Sequence, residues 1–211
     1  MKKILITQRL ISNQSYYEIR EALDTNYSKL LSKSGFLPIA LPYEINFIDY
    51  FNEFNISGIL LTGGNDLNSF SSNPLSEQRD IYEKNLITFA IEKNIPIFGI
   101  CRGLQIIAEY FGSTFKKVLG QVNTRHTIKY NNNSSLSKEL KNIDKVNSFH
   151  NFAIDDLGEE LKVSATNESG MIKAIEHKKY KIFAQMWHSE RKAIFSENEI
   201  KLIQNFFEDS A

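Results

Sequence analysis

The segment Ile97-Phe98-Gly99-Ile100-Cys101-Arg102-Gly103-Leu104-Gln105 constrains this fold more than any other stretch of the chain. A short apolar run stops at a Gly-x-Cys-x-Gly turn, and apolar residues at helical spacing begin at once. A buried strand that turns sharply into a helix needs small residues around the turn, which Gly99 and Gly103 supply. Such a turn exposes its central side chain at the carboxyl edge of a sheet. It also places that side chain at a helix N-terminus, where the dipole favours an anion. The pattern is a nucleophile elbow with cysteine in place of serine, so Cys101 is the expected nucleophile. An inert, buried cysteine is the competing reading.

The rest of the chain supports an α/β architecture. Lys3 to Ile6, Phe36 to Leu41, Ile56 to Leu61 and Ile182 to Trp187 read as buried strands. Tyr16, Ile19, Leu23, Tyr27, Leu30 and Leu31 recur at helical spacing, with Gly35 as a stop; Tyr82, Leu86, Phe89 and Ala90 mark a second helix. Ser196 and Glu199 form a capping-box pattern ahead of a final amphipathic helix. Val118, Ile128, Val146, Val163 and Ile172 sit in short segments without long helices between them, and Asn131 to Ser135 reads as an exposed loop. Strands alternating with helices imply a mostly parallel sheet covered on both faces.

Composition bounds the function. A chain of 211 residues with 42% hydrophobic content is expected to form one domain over residues 1–211 without a disulfide or metal staple. Cys101 is the only cysteine, which fits a reducing compartment. The first apolar run is interrupted by Thr7, Gln8 and Arg9, and no run approaches the ~20 residues of a membrane span, so a cytoplasmic protein is expected. With 25 basic and 25 acidic side chains the formal net charge is zero, which argues against nucleic-acid binding by bulk charge. No His/Cys pair has zinc-ligand spacing and no acidic cluster forms a calcium loop; no metal and no cofactor are expected.

A cysteine nucleophile needs a base. Of His126, His150, His177 and His188, the last ends an apolar strand and has Glu190 two residues on, within reach of its ring. His177 precedes Lys178 and Lys179 and reads as a solvated surface residue. Cys101, His188 and Glu190 then make a nucleophile–base–orienter set. Thr62-Gly63-Gly64 follows a buried strand, so its amides reach the same sheet edge; with the amide of Arg102 they can form an oxyanion hole.

The motifs Leu60-Leu61-Thr62-Gly63-Gly64-Asn65-Asp66, Gly99 to Gln105, Asn147-Ser148-Phe149-His150 and His188-Ser189-Glu190 together resemble class I glutamine amidotransferase domains. The resemblance spans essentially the whole chain and falls within the γ-glutamyl hydrolase, peptidase C26-like branch. It implies a three-layer, flavodoxin-like fold: a mostly parallel central sheet, helices on both faces and a small antiparallel portion. It implies Cys101 as nucleophile, His188 as base, Glu190 as its orienter, and Gly64 and Arg102 as oxyanion donors. Gln105, Ser148, Phe149 and His150 would hold the α-amino and α-carboxylate ends of a γ-glutamyl group. The reaction would run through a γ-glutamyl thioester that water then attacks. Asn151 departs from the family, which often has a second histidine there.

The leaving group is suggested by arginine placement. Only six arginines occur against 19 lysines, and Arg9, Arg102, Arg125 and Arg191 fall in loops predicted at the catalytic edge. Arginine suits bidentate binding of phosphate or carboxylate, so Arg9, Arg125 and Arg191 are candidate contacts to an anionic leaving group; bracing of those loops is the alternative. The compact, Lys/Asn/Ile-rich chain is similar to branch members of bacterial capsule phosphoramidate synthesis, which implies γ-glutamyl-CDP-amidate as substrate and cytidine diphosphoramidate as product. The alternatives are a γ-glutamyl-γ-aminobutyrate-type hydrolase, a glutaminase subunit delivering ammonia to a separate synthase, and a non-catalytic module on the same fold. The expected partner is a small molecule, with a monomer or homodimer as the assembly.

Overall fold

The computed structural model describes residues 1–208. The strands are β1 (Lys3–Ile6), β2 (Arg9–Ser12), β3 (Ile19–Ala22), β4 (Leu37–Ala40), β5 (Ile56–Leu61), β6 (Ile97–Ile100), β7 (Phe115–Lys117), β8 (Val122–Tyr130), β9 (Lys145–Phe149), β10 (Phe152–Ile154), β11 (Leu161–Asn167), β12 (Ile172–His177) and β13 (Ile182–Gln185). The helices are α1 (Thr25–Lys33), α2 (Phe47–Glu53), α3 (Pro74–Glu92), α4 (Arg102–Tyr110), α5 (Ser137–Leu140) and α6 (Glu197–Glu208). Nine strands share one sheet in the order β4-β1-β5-β6-β13-β12-β11-β8-β9. The first five pair in parallel. The remaining pairings are antiparallel. Two small antiparallel ribbons, β2-β3 and β7-β10, lie outside the main sheet.

The centre of the parallel half is buried on both faces, which is why β5 and β6 read as near-continuous apolar runs and not as polar–apolar alternation. Phe98 of β6 packs against Phe206 and Phe207 of α6 with ring centroids at 5.4 and 6.2 Å. Phe207 also meets Phe36 edge-on at 5.5 Å. Burying each such ring stabilises the fold by roughly 1.5–3 kcal/mol. The strand ends β5, β6 and β13 therefore form one rigid edge, and the loops leaving it inherit that rigidity.

Several sequence expectations are corrected. The helical spacing from Tyr16 does not open a helix: Arg9–Ser12 and Ile19–Ala22 pair as a hairpin, leaving Tyr16 and Ile19 exposed. The helix starts only at Thr25, capped by the Asp24 side chain accepting from the Asn26 amide at 2.9 Å. Glu199 does not close a capping box. It is buried and accepts from the Ser189 hydroxyl at 3.2 Å, with Lys192 on its other oxygen. The Asn131 to Ser135 loop is not wholly exposed, because Ser134 is buried and bonds Glu176. His177 is buried, and its Nδ1 accepts from the amides of Lys179 and Tyr180 at 2.9 and 2.8 Å. The polar run after it folds back over the ring, so sequence polarity misreported its exposure. Among the described residues no helix is long and apolar enough to cross a membrane.

Candidate active site

Cys101 stands between β6 and α4 with φ 54° and ψ −101°. A side chain at that positive φ costs about 1–3 kcal/mol and persists only where neighbours enforce it. The enforcement is visible. The Cys101 amide donates to the Gln185 carbonyl at 2.8 Å, and its carbonyl accepts from the Gln105 amide at 3.1 Å. A Cβ on Gly103 would lie 2.1 Å from the Leu61 carbonyl oxygen, and one on Gly99 would lie 2.7 Å from the Gly103 backbone. The two glycines are required by contact between β5, β6 and α4, and that contact pushes Cys101 to the sheet edge.

His188 reaches the same point from β13. Its backbone is clamped by Asn147 of β9: the His188 amide donates to Oδ1 and Nδ2 donates to the His188 carbonyl, both at 2.8 Å. Nδ1 of His188 lies 2.5 Å from Glu190 Oε1, with both side chains 1% exposed. Nε2 is buried without a hydrogen bond to a protein nitrogen or oxygen, and the Cys101 sulfur is its acidic neighbour. A Cβ on Gly63 would meet His188 Cε1 at 3.0 Å and Cys101 Cβ at 3.7 Å, so loop, ring and thiol converge.

Burial acts to lower the His188 pKa, but the neighbouring Cys101, followed by Glu190, outweighs it and raises the ring to about 9. A folded value above the ordinary 6.5 means that protonation of His188 stabilises the fold. That contribution is complete below pH 6.5 and is lost as pH rises through about 9. The stability advantage of the natural protein over His188→Gln is therefore expected to shrink by about 3 kcal/mol across that window. Urea denaturation of both proteins at several pH values measures it, and a gap independent of pH would refute the coupling.

The loop Thr62-Gly63-Gly64 is held from below. The Gly63 amide donates to the buried Tyr27 hydroxyl at 2.9 Å, which leaves Gly64, at φ +131°, as the loop's candidate oxyanion donor. Arg79 of α3 donates to the Thr62 carbonyl at 2.9 Å and the Gly63 carbonyl at 3.2 Å, and pairs with Glu83 at 3.0 Å. Arg102 pairs with Asp80 and Glu83. Burial pushes the Glu83 carboxyl up, but Arg102 and Arg79 outweigh it and hold the group below its usual range. The Arg102 guanidinium is thus consumed inside the protein, which corrects its inclusion among arginines facing an anion. Only its backbone amide, next to Cys101, belongs to the candidate oxyanion hole.

The other predicted residues divide. Phe149 lies edge-on to His188 at 5.8 Å, and the Arg191 guanidinium sits 4.9 Å above the Phe149 ring and 3.7 Å from Glu190. Arg9 lies against Gly64, its Nε 3.3 Å from where a Cβ would stand. Gln105 is buried and donates to the Phe152 carbonyl at 3.5 Å. Ser148 and His150 are buried on one polar cluster with Lys173. Arg125 is exposed on β8 and stands opposite Asn147, the residue that clamps the His188 backbone. His126 bonds Thr124 at 3.2 Å. Sequence reasoning missed Tyr27, Arg79 and Lys173. Lys173 left a signal, a lysine inside the apolar run Ile172-Lys173-Ala174-Ile175.

Sheet order, elbow and convergent loops define a class I glutamine amidotransferase-like hydrolase. The Peptidase C26 family model matches residues 4–190, and the chain belongs to that family. It is 40% identical to the γ-glutamyl-CDP-amidate hydrolase of Campylobacter jejuni subsp. jejuni serotype O:2 over 205 residues, 96% of each chain. It is 27% identical to anthranilate synthase component 2 of Cyanophora paradoxa, covering 75% of this chain and 79% of that one. A glutamine amidotransferase from Thermotoga maritima shares the fold, with a TM-score of 0.68 at 16% identity over 99% of this chain and 84% of that chain. The expected architecture of parallel strands with helices and an antiparallel portion is the one observed, with the β4-β1-β5-β6-β13 half parallel and the β12-β11-β8-β9 extension antiparallel.

Proposed function

We propose that this enzyme hydrolyses a γ-glutamyl amidate, and that Cys101, His188 and Glu190 perform the reaction. The observation behind the assignment is the strained Cys101 elbow meeting a His188 ring that Glu190 holds at 2.5 Å. As His188 takes the Cys101 thiol proton on Nε2, the sulfur attacks the γ-carbonyl carbon. The oxygen that becomes anionic is held by the amides of Gly64 and Arg102. The tetrahedral intermediate collapses as the C–N bond breaks, and His188 gives its Nε2 proton to the departing nitrogen. A γ-glutamyl thioester remains. Water attacks it, His188 takes the water proton, and as the C–S bond breaks to release glutamate His188 returns that proton to the sulfur, regenerating the thiol.

The 40% identity to a protein named for γ-glutamyl-CDP-amidate supports a nucleotide-linked leaving group. Arg191 and Arg9, both at the site, are the proposed contacts to its phosphates; Arg125 is the third candidate. The test is glutamate release by the purified protein from γ-glutamyl-CDP-amidate, γ-glutamyl-γ-aminobutyrate and glutamine. The nucleotide amidate is expected to be hydrolysed fastest. Arg191→Ala is expected to raise KM for it by roughly tenfold and to change KM for γ-glutamyl-γ-aminobutyrate far less. Equal effects on both would leave Arg191 a structural brace of Glu190. Release from none of the three would favour a glutaminase subunit that depends on a synthase.

A further inference from the structure

A lysine without an acid lies behind the Ser148–Phe149–His150 wall. Lys173 of β12 is 1% exposed. Its ammonium donates to Gln121 Oε1 at 2.9 Å, to His150 Nε2 at 2.9 Å and to Ser148 Oγ at 3.3 Å. All three acceptors are uncharged. His150 is neutral, because burial and then the Lys173 charge lower it to about 3. Its other nitrogen, Nδ1, faces the Phe152 carbonyl at 2.9 Å, which fixes Nδ1 as the protonated one. Lys173 takes part in none of the ion pairs among the described residues.

A buried ammonium with no carboxylate partner is costly. Burial draws its pKa down to about 8, with Cys101 and then Glu168 acting in the opposite direction. Ser148, which Lys173 bonds, stands in β9 between Asn147, the clamp on the His188 backbone, and Phe149, edge-on to the His188 ring. The hydrogen bonds show where its charge is aimed. Ser148 Oγ accepts from Lys173 and donates to Gln121 Oε1 at 3.5 Å, the long limit of a hydrogen bond. A hydroxyl held by so long a bond can turn to a stronger, anionic acceptor, and the ammonium bonded to its oxygen strengthens that donation.

We propose that Lys173 determines specificity for the amino-acid end of the substrate: acting through Ser148, it is the counter-charge for the α-carboxylate of the γ-glutamyl group. This rests on the hydrolase reading above and adds to it a positioning residue that selects acyl groups carrying a carboxylate at that end. The probes are L-glutamate and 4-aminobutyrate, which differs from it only by lacking the α-carboxylate. Binding of each is measured by calorimetry to the natural protein, Lys173→Met, Lys173→Gln and Lys173→Arg.

The natural protein is expected to prefer L-glutamate. Lys173→Met and Lys173→Gln are expected to weaken L-glutamate by roughly 10–100-fold and to leave 4-aminobutyrate within about threefold. Lys173→Arg is expected to keep the preference. In turnover of γ-glutamyl p-nitroanilide the loss is expected in KM more than in kcat. No initial preference, equal weakening of both ligands, or no weakening would each overturn the proposal. If Lys173→Met does not fold, Lys173→Gln, which keeps a polar group at the same acceptors, gives the decisive reading. Binding is read apart from chemistry. A protein that prefers L-glutamate through Lys173 but hydrolyses no γ-glutamyl compound would refute the hydrolase reading and leave this one standing.

Discussion

Cys101→Ala is expected to lower kcat/KM for the γ-glutamyl substrate by at least about 10⁴-fold in a protein that still folds. Alanine keeps the Cβ that meets the positive φ, so the elbow is as strained as before. Removing the sulfur removes the only atom there that can form the thioester. His188→Ala is expected to cost about as much, and the double variant no more than either single one, because the two act as a unit. Glu190→Gln should lose roughly 10–100-fold less, since it removes orientation and charge while leaving nucleophile and base in place. Cys101→Gly should be inactive yet more stable than Cys101→Ala by about 1 kcal/mol, because glycine adopts φ 54° without strain. Glutamate release and thermal melts measure both quantities. Activity retained in Cys101→Ala would remove the assignment.

The largest stability effect is expected at Arg79. Arg79→Met should destabilise the protein by about 3–5 kcal/mol, because it leaves Glu83 one cation short in a fully buried cluster. The damage should reach catalysis as well. Arg79 donates to the Thr62 and Gly63 carbonyls, so losing it frees the loop that presents the Gly64 amide. Denaturant unfolding and kcat should therefore fall together. A loss below about 1 kcal/mol would show that the cluster is solvated and that the loop holds its own shape.

Much of the site was legible because it depends on local chain geometry. Gly99, Cys101 and Gly103 announce a tight strand-to-helix turn wherever they occur, and the contacts of 2.7 and 2.1 Å that forbid larger residues explain why. His188 and Glu190 are two residues apart, so their pairing is also a local matter. Illegible were groups that meet only through the sheet. Arg79, Asp80 and Glu83 look like the solvated face of a long helix, yet all three are buried under the Gly63 loop. Nothing in their spacing distinguishes the two cases, since charge patterning reports a face and not what covers it. The β2-β3 hairpin was hidden for a related reason: Tyr16, Ile19 and Leu23 fit helical spacing, and pairing with Arg9–Ser12 overrode it.

Short-range periodicity and neighbours along the backbone were enough to specify the alternating α/β chain, the elbow at Cys101 and the partnership of His188 with Glu190. Which charges serve the substrate side and which brace the interior was settled by packing in three dimensions. Arg102 turns inward to Asp80 and Glu83, whereas Lys173 is left with three neutral acceptors. The balance of a charge depends on its partners in space and on its exclusion from water, and those partners lie between 19 and 52 residues away along the chain.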